Sequence, residues 1–119
     1  MNLLFDRLRA FGADPDETLE RLLGDVLFFR TLLLEFSEDP DIQVLDKALR
    51  EGDYPHAFHA AHNLKGAAAT LGLAPVLRPL QRLTEALRNE PYAAFQADYA
   101  EFQEKLRELQ MITGESERT

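Results

Sequence analysis

The stretch Ala57-Phe58-His59-Ala60-Ala61-His62-Asn63-Leu64-Lys65-Gly66-Ala67-Ala68-Ala69-Thr70-Leu71-Gly72 decides how this chain folds. At about 100° per residue, Ala57, Ala60, Ala61, Leu64, Ala67, Ala68 and Leu71 form an unbroken apolar seam at the i, i+3, i+4, i+7 spacing of a buried helix face. His62 falls on the other side and therefore points outward. One turn further on, Lys65 and Gly66 flank it, and Ala69 lies almost directly beyond. An imidazole, an ammonium and a bare backbone position thus share one exposed helical surface, an arrangement suited to handling a phosphoryl group.

Outward from this helix, every segment between turn signals reads helical, and nothing alternates with a period of two. A first helix spans roughly Leu3 to Ala10, and Gly12 stops it. Asp14-Pro15 opens a short helix through Leu23, since Asp is a good N-cap and Pro is tolerated in the first turn. Asp25 caps the next, with Val26, Phe29, Leu32, Leu33 and Phe36 as its stripe. Pro40-Asp41 starts another through Arg50, closed by Gly52. Asp53 is the expected cap of the His62 helix, and Gly72 is placed for a left-handed end. Residues 75–89 follow, carrying Val76, Leu77, Leu80, Leu83 and Leu87; Pro79 either kinks this helix or marks the start of its regular part. A last helix is expected from Pro91 to about Thr113, leaving 114–119 as a disordered polar tail.

The expected fold is all-α, an antiparallel up-and-down four-helix bundle with additional short N-terminal helices, occupying residues 1–113 as one domain. Three of the four central helices are 53–71, 75–89 and 91–113; the remaining place falls to 41–51 or to 25–38. The chain has 119 residues, is 45% hydrophobic and 29% charged, an ordinary globular balance. No apolar run approaches the ~18 residues of a membrane span, and Asp6, Arg7 and Arg9 interrupt the N-terminal stretch, unlike a signal peptide. A soluble cytoplasmic protein is expected, and Met1 with the short tail fits a free-standing small one. With no cysteine, disulfides, thiol catalysis and cysteine-ligated zinc are excluded.

The net charge of −8 disfavours nucleic acid and anionic membrane as partners. Its distribution is more informative. Tyr54 to Asn89 carries four basic residues (Lys65, Arg78, Arg82, Arg88) against one acidic residue (Glu85), so the rest of the chain holds −11. The His62 helix and its successor form a locally positive region on an acidic body.

His62-Asn63-Leu64-Lys65-Gly66, followed by a small-residue stretch and Gly72, resembles the His-x-x-Lys-Gly signature of histidine phosphotransfer (HPt) domains of two-component phosphorelays. The likeness takes in the lead-in from Asp16 to Leu19, Arg21 to Asp25, the Phe28 to Phe36 segment and the turn Glu51-Gly52-Asp53, and covers roughly residues 14 to 113. The resemblance implies a phosphoryl carrier without its own ATP site: His62 accepts the group from a receiver-domain aspartate or a kinase and passes it to another receiver. An imidazole suits this because its ordinary pKa of ~6.5 leaves it neutral and nucleophilic near physiological pH. Lys65 offers a flexible positive charge to the phosphoryl oxygens. Gly66 leaves room for a receiver loop; an interior Gly costs about 1 kcal/mol relative to Ala, so close approach explains it better than helix design.

Phe58, His59 and Ala69 are expected on the docking rim, with Thr84 and Arg88 from the next helix. Thr84 stands where the resembled family often has Glu or Gln, twelve positions past the second Gly, and Arg88 matches a position basic in some members. The expected partners are response-regulator receiver domains and a hybrid histidine kinase, the receiver supplying Mg²⁺, with this chain a monomer holding no cofactor or metal. His56, His59 and His62 drift about 60° apiece around the helix, so all three cannot converge on one ion. There is no Gly-rich nucleotide loop, no Ser or Cys nucleophile at matched spacing and no prominent carboxylate pair. The alternative from another class is a non-catalytic helical docking adaptor for receiver or kinase domains, which would have no need of a nucleophile.

Overall fold

The computed structural model describes residues 3–118, folded into seven helices: α1 (Leu3–Phe11), α2 (Pro15–Arg21), α3 (Val26–Ser37), α4 (Pro40–Glu51), α5 (Tyr54–Thr70), α6 (Ala74–Ala86) and α7 (Gln96–Arg118). The helix starts are set by aspartates. Asp14, Asp25 and Asp53 each accept a hydrogen bond from the backbone N–H three residues on, at Glu17 (3.0 Å), Phe28 (2.9 Å) and His56 (3.4 Å), satisfying donors that have no partner within the helix. Asp39 does the same for α4 through the Asp41 N–H at 2.8 Å. No side chain caps α6.

The connections place α4, α5, α6 and α7 side by side in sequence order. The open choice between 25–38 and 41–51 resolves into two separate helices, α3 and α4, each tied to α7 by side-chain bonds. At the break between them, the Ser37 and Thr113 hydroxyls meet at 3.2 Å in a buried contact, and Gln110 Nε2 donates to the Ser37 carbonyl at 3.0 Å. Further along, the Tyr99 hydroxyl donates to Asp46 at 2.8 Å and ties α4 to the start of α7. The chain breaks at Glu38-Asp39-Pro40 because Pro40 lacks an N–H and Asp39 caps a new helix. Helix α1 packs on α7, and α2 on α1 and α3.

The core draws on α3 to α7, with Phe29, Leu33, Leu45, Leu64, Leu80, Leu83, Phe102 and Leu109 at 1% exposure or less. Each such side chain contributes roughly 1.5–3 kcal/mol of burial. From α5 the core receives Ala57, Ala60, Ala61, Leu64 and Ala68; the alanines let neighbouring helices approach closely and hold α5 centrally with its other face in solvent. Ala67, counted in the seam, is only half-buried. Pro79 lies buried inside α6, which is continuous from Ala74 to Ala86.

The last helix departs from expectation at both ends. Tyr92 and Phe95 are not in its first turns: their rings pack on Tyr54 at 4.7 and 5.7 Å, and the Ala93 N–H bonds the Ala86 carbonyl at 3.2 Å, which holds 91–95 in a non-helical path. At the other end, the backbone of 114–118, expected as a disordered tail, continues as helix. Glu115 to Arg118 contain no proline, and Gly114 costs only about 1 kcal/mol. Thr119 lies outside the described residues.

Candidate functional site

Midway along α5, opposite the alanine seam, His62 is exposed, with Asn63, Gly66, Ala69 and Thr70 also in solvent. Among the described residues no side chain hydrogen-bonds either ring nitrogen of His62. Its ring instead lies parallel to that of Phe58 one turn back, with centroids 5.9 Å apart and planes inclined by 17°. The Arg88 guanidinium, just beyond the end of α6, sits 5.4 Å from the Phe58 ring centre, within cation–π range. His59 meets the same ring edge-on at 5.7 Å.

Gly66 adjoins open space: a Cβ built there meets nothing within 4 Å. The fold therefore gives no internal reason for a glycine, and the bare backbone faces whatever approaches from outside. Lys65, half-buried, forms no ion pair among the described residues, so its charge is uncommitted. Asn63 Nδ2 donates to Asp41 of α4 at 3.3 Å, pinning the far flank of the site. Gly72 closes α5 in the left-handed region (φ +68°), and a Cβ there would stand 2.5 Å from Thr18 Oγ1 and 2.9 Å from the Asp14 carbonyl oxygen. The second Gly of the motif thus lets α2 dock beneath the end of α5. Arg21 reinforces that contact by donating to the Thr70 carbonyl at 2.8 Å.

The structure brings His62, Lys65, Gly66, Phe58, His59, Ala69 and Arg88 to one surface and removes Thr84 from it. Thr84 is fully buried, its hydroxyl donating to the Leu80 carbonyl at 2.6 Å. By bonding back to the carbonyl one turn earlier in its own helix, the threonine satisfies its hydroxyl without a partner from outside α6. The positive region is also narrower than its sequence count. Arg82 is taken by α7, bonding Asp98 at 2.8 Å and Glu101 at 2.5 Å, and these carboxylates hold its guanidinium charged beyond its already high range. Arg88 pairs with Glu85 at 3.1 Å. Lys65 and Arg78 retain uncompensated charge among the described residues.

His56 Nδ1 lies 2.6 Å from Asp53 Oδ2 at the start of α5, which draws it into the helix cap and away from His62. Among the described residues no group of three His, Cys, Asp or Glu side chains is placed to hold a metal, and no helix is long and apolar enough to cross a membrane. The Phe58–His62 stack and the Glu85 tether on Arg88 were not anticipated from sequence. The i, i+4 spacing of Phe58 and His62 is the signal that would have found the first.

The helical bundle thus displays an exposed, unbonded His62 beside a lysine with no ion pair among the described residues and an open glycine, all on one surface. The Hpt domain family matches residues 29–112, and the chain belongs to that family of histidine phosphotransfer modules in two-component phosphorelays. The match begins within α3, so α1 and α2 lie outside it. No curated protein and no solved structure gives a match to the chain.

Proposed function

We propose that His62 is the phosphoryl acceptor, taking the group from an aspartyl phosphate of a receiver domain and returning it to the aspartate of another. A ring nitrogen attacks phosphorus, the P–O bond to the aspartyl carboxyl breaks, and the carboxylate leaves with the bonding pair. The dianionic group then resides on the imidazole, whose other nitrogen keeps its proton. Acyl phosphate and phosphohistidine both have high transfer potential, so the step runs in either direction without ATP. Lys65 steadies the oxygens as a point charge, and the receiver contributes Mg²⁺ and most of the remaining stabilisation.

The observation that carries this reading is the pairing of an exposed, unbonded His62 with the open backbone at Gly66. In-line transfer needs the partner's phosphorus within about 3–3.5 Å of the ring nitrogen, and a flat helix surface permits that approach. The test is His62→Gln, with receiver affinity and transfer measured separately. Affinity within about twofold of wild type and no transfer supports the carrier; unchanged phosphate flow through the variant refutes it.

A further inference from the structure

His62 is oriented by an aromatic contact. Counting outward from α6, Glu85 holds Arg88 at 3.1 Å, Arg88 covers Phe58 at 5.4 Å, and Phe58 stacks on His62 at 5.9 Å. Phe58 is packed against the core on its inner side, so the ring is a fixed wall. The exposed imidazole alone has about two χ1 wells open to it on a helix and a broad two-fold χ2, giving about four orientations. Parallel stacking against a fixed ring selects among these, while both nitrogens stay free for chemistry.

We infer that Phe58 is a positioning residue for phosphoryl transfer and that Arg88, tethered by Glu85, braces it. This rests on the assignment of His62 as acceptor. A rim residue would offer its ring to the partner, but the Phe58 ring is already engaged by His62, His59 and Arg88. Freeing the imidazole to sample about four orientations dilutes the productive one by up to about fourfold, an effect on the rate within the complex and not on receiver affinity.

The experiment compares the full chain as wild type, Phe58→Leu, Phe58→Tyr and Arg88→Gln. Proton NMR reads the ring-current shift of the His62 imidazole protons. Transfer kinetics are followed against a phosphorylated receiver at varied concentration. Phosphoramidate provides a partner-free donor, its P–N bond breaking as the imidazole bonds phosphorus and ammonia leaves. Phe58→Leu is expected to lose the upfield shift and to slow transfer at saturating receiver about three- to fourfold, with half-saturation changed less than about twofold. Phe58→Tyr restores both. Arg88→Gln, an exposed change that leaves the core intact, reproduces part of the loss. A Phe58→Leu variant that keeps the wild-type saturating rate, or whose whole defect lies in half-saturation, overturns the positioning role. Wild type labelled by neither donor overturns the His62 assignment itself, a failure distinct from the first.

Discussion

Gly66 separates what the fold needs from what the partner needs. A Cβ at this position meets nothing within 4 Å, and the residue is in a regular helix with no left-handed φ. Replacing it by Ala should therefore stabilise the protein, since interior Gly is about 0.5–1 kcal/mol worse than Ala. At roughly 2.1 cal/mol/K per residue of unfolding entropy, a chain of 119 residues has a slope near 0.25 kcal/mol/K, so the expected rise in Tm is about 2–4 °C. Gly66→Arg should also melt at or above wild type, because its side chain projects into solvent and arginine is a good helix former. The receiver meets the opposite situation: a side chain about 7 Å long stands beside the ring nitrogen it must approach to about 3–3.5 Å. Calorimetry and transfer kinetics at sub-saturating receiver measure the two effects. A Gly66→Arg protein that melts at least as high as wild type and transfers at least tenfold more slowly is expected. A fall in Tm for Gly66→Ala, or undiminished transfer by Gly66→Arg, would refute the reasoning.

Gly72→Ala should do the reverse of Gly66→Ala, because its Cβ would collide with Thr18 Oγ1 and the Asp14 carbonyl in a left-handed backbone; a loss of more than about 1–2 kcal/mol by urea unfolding is expected. Burial, followed by the bond to Asp46, pushes the Tyr99 phenol well above its ordinary range. The folded state then holds that proton more tightly than the unfolded one, so stability is full below about pH 10 and declines as pH rises past it; Tyr99→Phe should flatten that decline in melts taken from pH 8 to 11. Thr84→Val, buried and away from the surface, should leave receiver affinity within about twofold of wild type, whereas a docking role for Thr84 would make it fall further.

Much of the scaffold was legible because it depends on local chemistry. The α5 seam follows from alanine and leucine spacing, the Asp14, Asp25 and Asp53 caps from side chains three residues before a backbone N–H, and the left-handed Gly72 from its place after the seam. Whatever depends on a second element was not. Thr84 shares a side of its helix with Gln81 and Arg88 on a wheel, and only the packing of α6 shows that it faces inward. Arg82 counts as positive in sequence but is neutralised by α7 residues sixteen and nineteen positions away. The late start of α7 reflects Tyr92 and Phe95 packing on Tyr54, a contact between segments nearly forty residues apart. At the site itself, His62, Lys65 and Gly66 were readable as a motif and the Phe58–His62 stack was latent in their i, i+4 spacing, while the Arg88 cover on Phe58 joins residues thirty positions apart and needed the packing of the two segments.

The most direct test of the central claim is to incubate wild type and His62→Gln with a phosphorylated receiver and Mg²⁺, follow labelled phosphate on each, and then add an unphosphorylated receiver as a chase. The carrier reading predicts acid-labile, alkali-stable label on wild type alone, discharged by the second receiver. Equal label on His62→Gln, or no label on wild type from any of several receivers, would contradict it.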